Sequence, residues 1–321
     1  MENKVNRELK QVLAYLPVLI ISNESIVAVR QGMKEMALQN APASNELISM
    51  TERFIPGPAG DPEVRVKIYQ SVQKSGSDAG LLWIHGGGYV IGTPEMDDFL
   101  CQRYVLEANC TVVSVDYRLA PEHPFPAPVE DCYAALKWFS DHADELGVDR
   151  SRIAIAGASA GGGLTAATSL LARDRQGPPL VFQMPLYPMI DDRHITPSST
   201  EVQDTRVWNE QSNRNAWAMY LGEQTEEVSP YAAPARALDL TCLPPTYTCV
   251  GDLDPFRDET IDYVTKLTKA GVPTEFHLYP GCFHGFEGYA PHTEIGKRAI
   301  NQYIEALKYV FEKELVKNRS F

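Results

Sequence analysis

Arg152-Ile153-Ala154-Ile155-Ala156-Gly157-Ala158-Ser159-Ala160-Gly161 reads as a strand running straight into a glycine-flanked serine turn, and Leu164 to Arg173 continues as a helix. The apolar run suits a central strand covered on both faces. A G-x-S-x-G turn between strand and helix lifts a serine hydroxyl onto the tip of the bend. Upstream, Leu81-Leu82-Trp83-Ile84 is a second buried run, and it stops at His85-Gly86-Gly87-Gly88. Backbone N–H groups in such a glycine-rich loop can hold the oxyanion that forms during acyl transfer. Each stretch alone is a modest signal. Together, in this order and each behind an apolar run, they point to the chemistry of a serine hydrolase.

The pattern repeats outward. Thr111-Val112-Val113-Ser114-Val115, Leu180 to Leu186 and Thr246 to Val250 are further buried-strand runs. Val64 to Tyr69 and Thr274 to Tyr279 alternate, as half-buried strands do. Helices are predicted at Met96 to Ala108, Val129 to Leu146, Asp258 to Ala270 and Glu294 to Val316. Strands alternating with helices imply an α/β fold with a mainly parallel sheet covered on both faces. Its ligand belongs beyond the carboxyl ends of the strands, where both glycine motifs lie. Residues 1 to about 45 are expected to be helical, with Val5, Leu9, Val12, Leu13 and Leu16 at helix spacing. Arg193 to Gly222 breaks the alternation and carries Trp208, Trp217, Met219 and Tyr220 in a predicted helical pair. An insertion there is a natural lid, forming a cap together with the N-terminal helices. The tryptophans and Tyr220 are expected to serve packing more than ligand contact, since aromatics chiefly supply buried area.

Composition narrows the class. With 321 residues, 44% of them hydrophobic and 22% charged, the chain reads as an ordinary globular protein with a large core. A net charge of −13 and no basic block argue against a nucleic-acid partner. The apolar run Val12 to Ile21 is interrupted by Pro17 and is too short to span a bilayer. It is expected to pack as a helix on the rest of the protein, with no membrane insertion. Cys101, Cys110, Cys132, Cys242, Cys249 and Cys282 are scattered without metal spacing, which suits free thiols packed as small hydrophobes in a reducing cytoplasm.

A serine hydroxyl needs a base, usually a histidine oriented by a carboxylate. Among seven histidines, His284 follows a strand in Gly281-Cys282-Phe283-His284-Gly285-Phe286, where flanking glycines let an imidazole reach across. His277 sits inside the alternating strand, and His123, His142, His194 and His292 read as surface residues. His85, beside Gly86, is expected to brace the glycine loop. For the carboxylate, Gly251 to Glu259 offers Asp252, Asp254 and Asp258. Pro255 biases Asp254 off the strand end. Asp258 suits a helix N-terminus and Asp252 a brace of the loop. Asp254 is therefore the chosen orienter. The order Ser159, Asp254, His284 then follows.

These residues, with Asp116-Tyr117-Arg118-Leu119-Ala120-Pro121-Glu122, Gly162, Asp254-Pro255-Phe256-Arg257-Asp258-Glu259 and His284-Gly285-Phe286, resemble the hormone-sensitive-lipase-like (bacterial family IV) carboxylesterases of the α/β-hydrolase superfamily. The resemblance implies an α/β-hydrolase fold: a mainly parallel sheet flanked by helices, with a helical cap. Residues 1–45 form the N-terminal part of the cap, 46–192 the first part of the core, 193–222 the cap insertion and 223–321 the second part of the core. It implies Ser159 as nucleophile, His284 as base then acid, and Asp254 as orienter. The oxyanion donors fall at the backbone of Gly87, Gly88 and Ala160. The family commonly has an aspartate where this chain has Ala158, a position outside bond making. Arg118 and Glu122 are expected to pair and stiffen the proline-rich segment. The implied substrate is a small-molecule ester of short acyl chain, with no metal or organic cofactor. The resemblance also implies a homodimer through the last strand and its neighbouring helix. Amide or other acyl hydrolysis, or a non-catalytic ligand receptor, are the alternative readings on the same fold.

Overall fold

The computed structural model describes residues 2–39, 45–73, 78–222 and 227–318. Eight strands, β1 (Ile48–Ile55), β2 (Val64–Ser71), β3 (Asp78–Ile84), β4 (Cys110–Asp116), β5 (Val148–Ala158), β6 (Phe182–Leu186), β7 (Thr246–Leu253) and β8 (Thr274–Phe283), build one sheet. Their order is β1-β2-β4-β3-β5-β6-β7-β8. β1 and β2 enter antiparallel, and every pairing from β4 to β8 is parallel. The helices are α1 (Arg7–Tyr15), α2 (Ile26–Gln39), α3 (Asp98–Glu107), α4 (Ala127–Asp141), α5 (Ala160–Asp174), α6 (Ser198–Glu201), α7 (Glu210–Leu221), α8 (Arg257–Lys269), α9 (Phe286–Tyr289) and α10 (Glu294–Asn318). This is the α/β-hydrolase architecture.

The central strands are buried because both faces are packed: Leu82, Ile84, Val113 and Ile155 contribute to one apolar layer, Leu81, Trp83, Val112 and Ala154 to the other. Alternation thus divides each strand between two cores. β2 departs from the half-buried expectation. Its second face lies under α3, and Lys67 is buried there with Nζ 2.8 Å from Asp98 Oδ1, which also accepts from Tyr69 Oη at 2.6 Å. A buried charge needs such pairing. β1 carries no alternation at all, since its middle is exposed and only Ile48 and Ile55 are buried at its ends. Backbone pairing to β2 defines it.

The N-terminal segment is less helical than expected. α1 ends at Tyr15, residues 16–21 are irregular around Pro17, and α2 begins only at Ile26. Residues 1 and 40–44 of that expected stretch lie outside the described residues. In 193–222 the expected pair is one twelve-residue helix, α7, preceded by the single turn α6. The two segments touch each other: Leu19 N donates to Thr205 O at 2.8 Å, and Asn215 Nδ2 to Ile21 O at 2.6 Å. No helix among the described residues is long and apolar enough to cross a membrane.

The six cysteines are free, five of them buried; Cys242 is exposed and needs another account than packing. The expected Arg118–Glu122 pair does not form. Arg118 instead donates through Nη2 to Asp131 at 2.7 Å and to Asp61 at 3.0 Å, while Glu122 is held by Arg30 of α2. Asp131 lies on α4, which faces back along the segment, so folding offers Arg118 a fully buried carboxylate that sequence proximity does not.

Candidate active site

Ser159 sits between β5 and α5 with φ 59° and ψ −117°, a backbone conformation that side chains rarely adopt. Strain of this kind persists only where the surroundings hold it. Here Ser159 N donates to Leu186 O at 2.9 Å, and Ser159 O accepts from Met189 N and Gly163 N, each at 2.9 Å. The flanking glycines are demanded by close approach. A Cβ on Gly161 would stand 2.1 Å from Ile84 O at the end of β3. Packing the start of α5 so tightly on β3 brings Ser159 beside the glycine loop, where a Cβ on Gly86 would lie 3.4 Å from Ser159 Cβ.

That loop turns on Gly87, whose carbonyl accepts from Val90 N at 3.0 Å and Ile91 N at 2.9 Å. Gly87 has φ 120°, and a Cβ there would meet Ile91 O at 2.1 Å, so only glycine fits. Ala160 opens α5, where a helix leaves its first N–H groups without intrahelical partners. His85 is buried, stacked on Tyr117 at 4.2 Å between ring centroids, and its Nδ1–H donates to Gly86 O at 2.8 Å. Burial pushes its pKa down, keeping the imidazole neutral. His85 thus sits between Tyr117 and the backbone of the glycine loop.

Two further side chains join Ser159. His284 follows β8 and Asp254 follows β7, so the carboxyl ends of neighbouring strands deliver them together. His284 Nε2 is 2.8 Å from Ser159 Oγ, and His284 Nδ1 is 2.7 Å from Asp254 Oδ2. Asp254 is 1% exposed, and its other oxygen, Oδ1, accepts from Phe256 N at 2.8 Å. With Nδ1–H donating to Asp254, Nε2 carries the lone pair that accepts the Ser159 hydroxyl. Asp252 braces the loop by accepting from Gly281 N at 2.6 Å, and Asp258 in the first turn of α8 accepts from Ser198 N at 2.9 Å. His277 turns away to Glu275 at 2.7 Å.

Of the walls, the sequence offers Trp208, as packing, and gives no signal for Tyr187 or Phe256. The imidazole of His284 is flanked edge-on by Phe256 at 4.9 Å and Tyr187 at 5.1 Å, with Trp208 at 6.3 Å. Trp208 also covers the glycine loop, since a Cβ on Gly88 would be 2.3 Å from its ring. Trp217 and Tyr220 pack instead on Tyr89. Tyr187 donates its hydroxyl to Glu287, a carboxyl whose pKa burial raises. These are long-range aromatic contacts, and no local pattern announces them.

Sheet topology and the position of this cluster define the class: an enzyme of the α/β-hydrolase type. A family model described as alpha/beta hydrolase fold matches residues 81–288. The esterase LipI of Mycobacterium tuberculosis is 38% identical over 94% of this chain and 94% of its own. The carboxylesterase NlhH of the same species is 34% identical over the same shares. Among solved structures, a bacterial heroin esterase superposes with a TM-score of 0.91 at 40% identity, covering 96% of this chain and 98% of that one. The chain belongs to the hormone-sensitive-lipase-like family of α/β-hydrolases, and its enzyme class is carboxylic ester hydrolase.

Proposed function

We propose that the chain hydrolyses small carboxylic esters of short acyl chain through an acyl-serine intermediate. The observation that carries this reading is the unbroken line Asp254–His284–Ser159, with contacts of 2.7 and 2.8 Å, beside the loop Gly86–Gly88. Ser159 Oγ attacks the ester carbonyl as His284 Nε2 takes its proton, and Asp254 holds the imidazolium. The tetrahedral oxyanion is received by the backbone N–H groups of Gly87, Gly88 and Ala160, an arrangement in which one donor is typically worth about 10²–10³ in kcat. His284 protonates the departing alcohol. A water molecule, deprotonated by His284, then attacks the acyl-serine, and His284 returns that proton to Ser159 Oγ as the acid leaves. Every step uses side chains and backbone of this chain.

The acyl-length limit is supported by Trp208, which is 5% exposed and packs over Gly88 and beside His284. Residues 1–45 and 193–222 act in this reading as the two halves of a cap, supported by their contacts with each other. Free cysteines support a reducing cytoplasm as its compartment. Among the described residues β8 ends the sheet, and its outer edge, with α10 beside it through Tyr279 Oη donating to Gln302 Oε1, is the proposed homodimer face, whose dimer is checked by sedimentation. The test of the activity is a p-nitrophenyl ester series from acetate to palmitate with wild type and Ser159→Ala. Serine-dependent turnover that peaks at short chains is expected. Wild-type rates from Ser159→Ala, or turnover that grows with chain length, would overturn it.

A further inference from the structure

The two residues directly after the oxyanion glycines, Tyr89 and Val90, are gripped from outside the sheet. Arg30 of α2 reaches down with Nε donating to Val90 O at 2.8 Å and Nη2 donating to Ala120 O at 2.6 Å. Its fork is completed by Glu122, with Nη1 2.8 Å from Oε1 and Nη2 2.9 Å from Oε2. From the other side, Tyr220 of α7 stacks on Tyr89 with centroids 3.9 Å apart and planes at 14°. Tyr89 has φ 65° and is fully buried, so its conformation depends on being held.

The grip extends to the nucleophile. Ala120 N, next to the carbonyl that Arg30 holds, donates to Tyr89 O at 3.0 Å. Tyr89 Oη donates to Met189 O at 2.5 Å, and Met189 N donates to Ser159 O at 2.9 Å. A continuous set of hydrogen bonds therefore runs from Arg30 through the glycine loop to the serine turn. An interaction that fixes backbone donors matters most when charge develops on the oxyanion, because preorganised donors act there without reorganising.

We infer that Arg30 is a positioning residue for the oxyanion hole, through which the N-terminal segment sets the geometry of the Gly86–Gly88 loop. The inference rests on the acyl-transfer reading above. A guanidinium suits the role because its planar fork satisfies two carbonyls and a carboxylate at once, which a lysine ammonium cannot. A clamp acting on the transition state lowers kcat when lost and leaves KM nearly unchanged.

The test measures kcat and KM on a p-nitrophenyl ester, Ki for a trifluoromethyl ketone, and Tm, for wild type, Arg30→Met and Arg30→Lys. A misplaced reacting geometry costs up to about 10²-fold. Arg30→Met is expected to lower kcat about 10- to 100-fold with KM within about threefold, and to raise Ki of the ketone by a similar factor. Arg30→Lys, which keeps one contact, is expected to recover part of both, and it carries the test if Arg30→Met does not fold. A wild-type kcat in a folded Arg30 variant, even with a lower Tm, overturns the inference. So does a raised KM at unchanged kcat. Persistence of turnover in Ser159→Ala fails the acyl-transfer reading instead, a separate result.

Discussion

Replacing Asp254 by asparagine changes one atom and is expected to reverse a hydrogen bond two groups away. In the wild type both carboxylate oxygens accept, Oδ1 from Phe256 N at 2.8 Å and Oδ2 from His284 Nδ1 at 2.7 Å. An asparagine has one acceptor and one donor at these positions. The backbone N–H of Phe256 is fixed and can only donate, so the amide oxygen must stay with it. The amide NH₂ then faces His284 Nδ1, which can be satisfied only by accepting. The imidazole proton moves to Nε2 and points at Ser159 Oγ, 2.8 Å away, where the proposed mechanism needs the lone pair. A base held in the wrong tautomer loses about 10⁴ in kcat, equivalent to roughly 5.5 kcal/mol of transition-state stabilisation. The fold survives, because shape and one hydrogen bond are kept at a side chain that is 1% exposed. The assay is kcat/KM on p-nitrophenyl butyrate, with Tm as the fold control and ¹⁵N shifts of the histidine ring to read the tautomer. A folded variant within tenfold of wild type, or one with Nδ1 still protonated, would refute the reasoning.

Other expectations follow from the same contacts. Gly87→Ala combines a φ of 120° with a Cβ 2.1 Å from Ile91 O, so the loop must move; kcat should fall by more than about 10² while KM changes little. Asp131→Ala removes a fully buried carboxylate that accepts from Arg118 N at 2.9 Å and Nη2 at 2.7 Å, stranding the backbone N–H while Asp61 still holds Nη2 at 3.0 Å; urea unfolding should register a loss of about 1–3 kcal/mol. Burial lifts the Asp97 carboxyl to about 6, above its ordinary 3.8. The folded state thus holds a proton that the unfolded chain releases earlier, so this group's stabilisation is complete below about pH 4 and is lost as pH rises through about 6. Denaturant melts between pH 4 and 8 should show that loss in wild type and a flatter profile in Asp97→Asn.

Legibility differed by element. Both ends of α8 and the cores of β3, β5, β6 and β7 follow from apolar runs that end near glycine or proline, a local signal, whereas α5 starts at Ala160, four residues before the expected Leu164. β1 was illegible because Thr51, Glu52 and Arg53 occupy its exposed middle, and its existence depends on pairing with residues 64–71 of β2. β2 reads as half-buried because Lys67 looks like a solvent residue until Asp98 neutralises it inside. α4 stops at Asp141, five residues before the expected Leu146, where His142 Nδ1 turns back to Trp138 O at 2.9 Å.

The sequence by itself determined the strand–turn–helix around Ser159 and the glycine loop, because both are short-range backbone demands: a positive φ and close approach that only particular residues meet. It also determined which histidine and which aspartate stand on loops after neighbouring strands. Only the tertiary structure decided who pairs with whom. Arg118 takes Asp131 over the nearby Glu122, and Glu122 takes Arg30 from 92 positions away. Charged side chains are long and solvated in the unfolded chain, so nothing local selects their partners. The choice is made when the sheet and its overlying helices bring a carboxylate and two backbone carbonyls to one guanidinium.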